Sequence, residues 1–255
     1  MLTGSAYPMT VLLLVITAAV IFFVPSTAQT MDENGPKIQA TAPDDPLDAQ
    51  LMDALRRRDD HEIKALLDQG ANIEYPRANY RSTPLIDASE KGLIETVKLL
   101  VKWGAKVNPK GAFHGVTPLT QAALNGHLDV VVFLIQHGAD VNANRTQHGH
   151  AGYLVSEGIG PRNPTPLGSA ALESHTEVVE YLIRKGAKVN YQDGSSYTPL
   201  MWACAVSANP ETVSALLSHG ADVTIKTDLG DTARNMALAR KATRIIALLD
   251  ASKPR

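Results

Sequence analysis

The 255-residue chain has a single cysteine, Cys204. Neither an intramolecular disulfide nor a Cys-x-x-Cys site is open to it, and a lone thiol fits a reducing or an oxidising compartment equally. Aromatic residues are scarce, at 5%, while Ala and Leu recur throughout. Closely packed short helices suit that composition better than a large β core. An excess of one charge sign is also missing, since 24 Lys+Arg against 26 Asp+Glu leave a formal −2. No strong field draws the chain to nucleic acid or to an anionic bilayer, so no nucleic-acid partner is expected.

Catalytic signatures are absent as well. There is no Gly-x-Ser-x-Gly elbow, and Gly-Lys never occurs as a dipeptide, which excludes a Walker A loop. His61-Glu62 begins a zincin-like string, but Ala65 stands where the second histidine is needed. His148-Gly149-His150 has the spacing of a chelate in an extended strand, with His114 in the preceding hairpin as a neighbour. The two ligands of that motif are too few for a zinc site, so no metal site and no cofactor are expected. His127 and His175 follow the first helix of a helical pair and are read as structural, and Cys204 as a packed small residue.

One long apolar run is present. Val11 to Val24 reads VLLLVITAAVIFFV. At ~1.5 Å per residue it spans roughly 21 Å, short of the ~30 Å hydrocarbon core. Ser26 and Ala28 follow with the spacing that signal peptidase prefers, which places a cut before Gln29, although the segment before the run carries no Lys or Arg. The expected layout is a secretory signal over 1–28 and a disordered linker over 29–46, the latter rich in Asp, Pro and Ala. The alternative keeps the run as an uncleaved anchor.

From there on the sequence repeats itself. Thr-Pro-Leu occurs at Thr83, Thr117, Thr165 and Thr198, with a degenerate copy at Thr232, at spacings of 34, 48, 33 and 34. Gly-Ala-x-(Ile/Val) begins at Gly70, Gly104, Gly138, Gly186 and Gly220, at spacings of 34, 34, 48 and 34. Two markers in phase over several copies are the signature of a repeat architecture. Each has a physical task. Thr caps a helix and Pro fits its first position, where an N–H is not needed. The Ala pairs that follow, such as Ala122-Ala123, allow close packing. Val130, Val131, Phe133 and Leu134 have the spacing of a second helix. Gly138 then stops that helix from a position that favours positive φ.

Residues Thr117 to Ala143, TPLTQAALNGHLDVVVFLIQHGADVNA, resemble the ankyrin-repeat family almost throughout, with Thr120 where the family usually has His. The resemblance covers about Leu47 to Ala251. It implies an all-α fold, an ankyrin-repeat solenoid of about six helix-turn-helix repeats joined by β-hairpin loops. The repeats fall at about 47–77, 78–111, 112–144, 160–192, 193–227 and 228–251, with an insertion over 145–163 and a tail over 252–255. The first carries Arg56, Arg57 and Arg58, and the last has Ala233 and Arg234 for Pro and Leu, as suits polar end caps.

The same resemblance implies function. An ankyrin stack behind a signal peptide is similar to the periplasmic ankyrin proteins of Gram-negative bacteria, which include supporters of catalase and immunity proteins against toxic enzymes. The expectation is a non-enzymatic protein-binding module, periplasmic or secreted, monomeric, with no membrane insertion after cleavage. It would serve as adaptor, inhibitor or immunity-type binder. The family binds through hairpin tips and first helices. Here the candidates are Tyr80, Phe113, His114, Arg162 and Tyr197 on the tips, with Trp202 on a first helix. The insertion adds the strand-like patch Tyr153-Leu154-Val155. Trp202 has two readings, an exposed aromatic anchor or a residue packed between repeats. Two other functional readings stand beside this one: a cytoplasmic scaffold anchored to the inner membrane, and a metal-dependent enzyme built on the insertion.

Overall fold

The computed structural model of the chain describes residues 46–75, 82–109, 116–143, 165–194, 196–206 and 209–252. Among them are twelve α-helices: α1 (Pro46–Arg57), α2 (Asp60–Asp68), α3 (Pro84–Glu90), α4 (Ile94–Lys102), α5 (Pro118–Leu124), α6 (Leu128–Gln136), α7 (Pro166–Leu172), α8 (Thr176–Arg184), α9 (Pro199–Ala205), α10 (Pro210–Ser218), α11 (Ala233–Ala239) and α12 (Thr243–Ala251). They form six consecutive antiparallel pairs. The described residues contain no strand, and the linkers among them are turns.

Threonine sets the start of the first helix of each pair from the second pair onward. The hydroxyl of Thr117 accepts the Thr120 N–H at 3.1 Å, and that of Thr165 accepts the Gly168 N–H at 3.2 Å. Thr83, Thr198 and Thr232 do the same. Each cap is worth ~1 kcal/mol. The last pair lacks the proline, since Ala233 stands at its first position.

The helices stack in two layers. First helices α3, α5, α7, α9 and α11 pack in succession, and second helices α2 to α12 pack in a parallel row. Between the layers lies a continuous core of one leucine per repeat (Leu85, Leu119, Leu167, Leu200), each 1% exposed, and the small residues beside them, among them Ala88, Ala122, Ala170 and Ala203. The small side chains let first helices approach. The α7–α9 pair is the most extensive contact of the stack, and α7 carries the smallest run, Gly168-Ser169-Ala170-Ala171.

Polar ties join neighbouring repeats. Asn108 donates through Nδ2 to the Gly138 carbonyl at 2.7 Å and accepts the Asp140 N–H at 3.0 Å. Asn142 repeats this toward Gly186 and Lys188, and Asn190 toward Gly220 and Asp222. A second tie comes from histidine. His127 Nε2 meets the Glu90 carbonyl at 3.0 Å, and His175 Nε2 meets the Leu124 carbonyl at 3.0 Å. With a carbonyl as partner, Nε2 is the protonated nitrogen in both.

The ends depart from this pattern for a reason. Thr224 occupies the Asn column in the fifth pair and bonds only within its own turn, to Asp222, because no further Gly-Ala turn follows. At the sixth pair Arg234 replaces the core leucine and makes a two-pronged bond to Asp250 at 2.8 and 3.0 Å. At the first pair Arg56 pairs with Asp53 and Arg57 with Glu62.

Candidate protein-binding surface

The turns that lead into the first helices are the natural edge for recognition, and two of them are described. Asp193–Tyr197 and Thr227–Asp231 share one hydrogen-bond plan. The Asp193 N–H donates to the Tyr197 carbonyl at 3.0 Å, and the Thr227 N–H to the Asp231 carbonyl at 2.9 Å. A side chain closes each turn: Asp193 Oδ1 accepts the Tyr197 N–H at 3.0 Å, and Thr227 Oγ1 accepts the Asp231 N–H at 3.1 Å. The Ser196 hydroxyl then donates to Asp228 Oδ1 at 2.6 Å and joins the two tips. These bonds hold the described residues of both tips, Ser195 lying outside them, and a turn fixed by its own hydrogen bonds loses less freedom on binding.

Tyr197 is half-buried, and its ring stacks on Trp202 with centroids 4.6 Å apart. Trp202 itself is 2% exposed, and its indole N–H donates to Asp193 Oδ2 at 2.9 Å. Of its two readings the packed one holds, so Trp202 is removed from the candidate contact residues. The physical reason is the carboxylate: a buried indole N–H requires an acceptor, and Asp193, also buried, supplies it. Trp202 thus supports the surface from beneath, through the Tyr197 ring and the Asp193 carboxylate.

The first helices contribute their C-terminal ends. Glu90, Lys91, Asn125 and Glu173 are exposed, and Leu124, Leu172 and Val206 are half-exposed. These residues lie along one edge of the first-helix layer, in successive repeats. Tyr80, Phe113, His114, Tyr153, Leu154, Val155 and Arg162 lie outside the described residues.

The structure also adds a residue that the sequence argument passed over. Leu229, at the tip of the last turn, is 89% exposed and is flanked by exposed Asp228 and Asp231. Its signal was visible: a leucine inside Asp-Leu-Gly-Asp has no periodic neighbour to pack with.

The ionisable groups give no sign of a reacting centre among the described residues. Burial pushes the Cys204 thiol up to about 12, so the thiolate is suppressed. Hydrogen bonds from the Thr224 side chain and backbone hold the exposed Asp222 carboxyl below its usual range. Asp250, bonded to Arg234, raises that guanidinium further. Burial, turn bonds and an exposed ion pair between α11 and α12 account for the three in turn. No group of three His, Cys, Asp or Glu side chains positioned for a metal occurs among the described residues.

A family profile described as ankyrin repeats (3 copies) matches residues 51–145 and 146–227. The chain belongs to the ankyrin-repeat family. Ankyrin repeats generally mediate binding to other proteins and are generally not catalytic, which agrees with the open, two-layered stack. No curated protein matches the chain. No helix among the described residues is long and apolar enough to cross a membrane.

Proposed function

We propose that this ankyrin-repeat protein is a periplasmic binding module that holds one partner protein as an adaptor, an inhibitor or an immunity-type factor. In this reading residues 1–28 direct export, 29–46 tether the stack, and 47–251 form the binding domain. The contact surface comprises Tyr80, Phe113, His114, Arg162 and Tyr197 on the tips and Tyr153-Leu154-Val155 on the insertion over 145–163.

One observation supports it most. The ties between the third and fourth repeats are the same as those between their neighbours, with Asn142 bonded to Gly186 and Lys188, and His175 bonded to the Leu124 carbonyl. The stack therefore runs on through the point where the insertion enters. Among the described residues no inter-repeat tie involves that segment, which supports reading its apolar residues as available to a partner.

The test has two arms. N-terminal sequencing of the exported protein is expected to begin at or near Gln29, and a Met1 start in the membrane fraction overturns the export reading. The second arm captures the partner from the native compartment and replaces Gln147 to Gly160 with a short turn. Thermal stability is expected to stay the same while affinity falls tenfold or more, about 1.4 kcal/mol. Unchanged affinity for the same partner removes the insertion from the surface and leaves the tips and first helices.

A further inference from the structure

The turn between the two helices of a repeat needs positive φ at its second residue, and the described turns meet that need with different pairs: Arg57-Arg58, Lys91-Gly92, Asn125-Gly126, Glu173-Ser174 and Arg240-Lys241. Among them only the third repeat sets an asparagine before a glycine. That dipeptide is chemically labile, because a glycine nitrogen is unhindered in its approach to the side-chain amide carbon before it. In the folded chain the attack is blocked three times over. Asn125 has a ψ of 4°, so the Gly126 nitrogen eclipses the Asn125 nitrogen and points away from the Asn125 side chain. The Gly126 N–H donates to the Ala123 carbonyl at 3.3 Å. The Asn125 Nδ2 donates to the Gln121 carbonyl at 2.9 Å. All three restraints belong to the end of one short helix, at an exposed residue, so they last only while that repeat is closed.

We propose that Asn125-Gly126 is a self-modification site that makes opening of the third repeat irreversible. In an opened turn, rotation about ψ brings the Gly126 nitrogen onto Asn125 Cγ. The N–Cγ bond forms, the nitrogen gives up its proton, and Nδ2 leaves as ammonia. Water then adds to the succinimide at either carbonyl. One opening leaves an aspartate. The other leaves an isoaspartyl link, in which the main chain runs through Cβ and is one atom longer. Water is the only co-reactant. The extra atom falls where the second, third and fourth repeats are tied together. Leu124, one residue before Asn125, offers its carbonyl to His175 Nε2 at 3.0 Å. His127, two residues after, meets the Glu90 carbonyl through Nε2 at 3.0 Å. Gly126 itself lies against the fourth repeat, since a Cβ there would stand 2.4 Å from His175 Nδ1. Lengthening the chain between Leu124 and His127 therefore displaces both ties at once. A repeat array is held by its nearest-neighbour interfaces, so the isoaspartyl link divides the stack near its middle. A covalent change confined to the opened state turns a reversible opening into a permanent loss.

The test holds the full chain in urea at mildly alkaline pH and returns samples to buffer at intervals. Circular dichroism reads the refolded fraction, and peptide mapping with enzymatic methylation of isoaspartyl carboxylates reads the modification at Asn125. The wild type is expected to lose its refoldable fraction at the rate at which isoaspartate accumulates there. Asn125→Gln, whose longer side chain has to close a larger ring, is expected to lose it at least threefold more slowly. Without urea, isoaspartate at Asn125 is expected to form at least tenfold more slowly than in a synthetic peptide of residues 119–131, and to speed up with urea in step with unfolding. Melting curves check that the variant folds, and Asn125→Lys, the type found at Lys91, replaces it if glutamine melts early. Equal losses for the wild type and the variant overturn the proposal. So do isoaspartyl chains that refold with the wild-type melting point. A native chain that is modified as fast as the peptide overturns the protection by the closed turn, and the coupling to opening with it.

Discussion

Asn142 is joined to Gly186 across the point where the insertion enters, its Nδ2 donating to the Gly186 carbonyl at 3.1 Å while its Oδ1 accepts the Lys188 N–H at 2.8 Å. A primary amide carries its donor and its acceptor on separate atoms, so it can donate to a carbonyl and accept from an N–H at the same time. The column of Asn108, Asn142 and Asn190 is thus a row of inter-repeat clamps.

Asn142→Ala is expected to lower stability by about 1–3 kcal/mol, because two backbone groups lose their partner. Asn142→Asp keeps the acceptor but turns a carboxylate toward the Gly186 carbonyl, and it is expected to be destabilising too. Thr224→Ala in the same column is expected to do much less, since Thr224 clamps nothing beyond its own turn. Urea titrations followed by circular dichroism compare the three. Equal losses at Asn142 and Thr224 would contradict the clamp.

Gly126 and Gly138 both have positive φ, +74 and +86, yet they are expected to respond differently to alanine. A Cβ on Gly138 meets nothing within 4 Å, whereas one on Gly126 lies 2.4 Å from His175 Nδ1. Gly138→Ala carries the backbone cost alone, about 1–2 kcal/mol. Gly126→Ala adds displacement of the ring and loss of its bond to the Leu124 carbonyl. Combining it with His175→Ala is expected to show coupling of about 1 kcal/mol or more in a double-mutant cycle, and additivity would count against the ring contact.

These two pairs also show what was legible from sequence. Thr-Pro-Leu and Gly-Ala were readable because each acts within a few residues, through a cap or through a φ above zero. Six helix pairs followed from their period. Trp202 was not readable in the same way. Its position on the first helix is filled by Asp87, Gln121, Ser169 and Met236 in the other repeats, with no shared chemistry. What decided it was Asp193, nine residues earlier in a turn whose shape depends on a bond from Asp193 to Tyr197.

Trp202→Phe keeps the apolar ring and the stack on Tyr197 but leaves Asp193 Oδ2 without its indole donor. A buried carboxylate oxygen that loses a donor costs about 1–3 kcal/mol. The variant is expected to melt earlier by a matching amount and to loosen the Asp193–Tyr197 turn, seen as faster amide exchange at Tyr197 than in the wild type. If exchange at Tyr197 stays as slow as before, the indole is packing alone and does not hold the turn.

Cys204 gives the chain an alkaline dependence with a definite sign. Burial raises the folded-state thiol from an ordinary 9.0 to about 12. The folded protein therefore keeps its proton where the unfolded chain gives it up. Stability from this group is complete below pH 9.0 and is lost as pH rises toward about 12. The slope is about 1.4 kcal/mol per pH unit across that window. The useful quantity is the difference between the wild type and Cys204→Ala, in which every contribution that the two proteins share cancels. Alanine already fills the equivalent position at Ala123 and Ala171, fully buried, so the substitution fits the stack. Wild-type stability relative to the variant is expected to decline steadily above pH 9.0 and to be flat below it. The same burial predicts that a maleimide at pH 8 labels Cys204 only through opening of the stack, so labelling accelerates with urea in step with unfolding. Rapid labelling of the native protein, or parallel pH profiles for the two proteins, would show that the thiol reaches solvent by a local route.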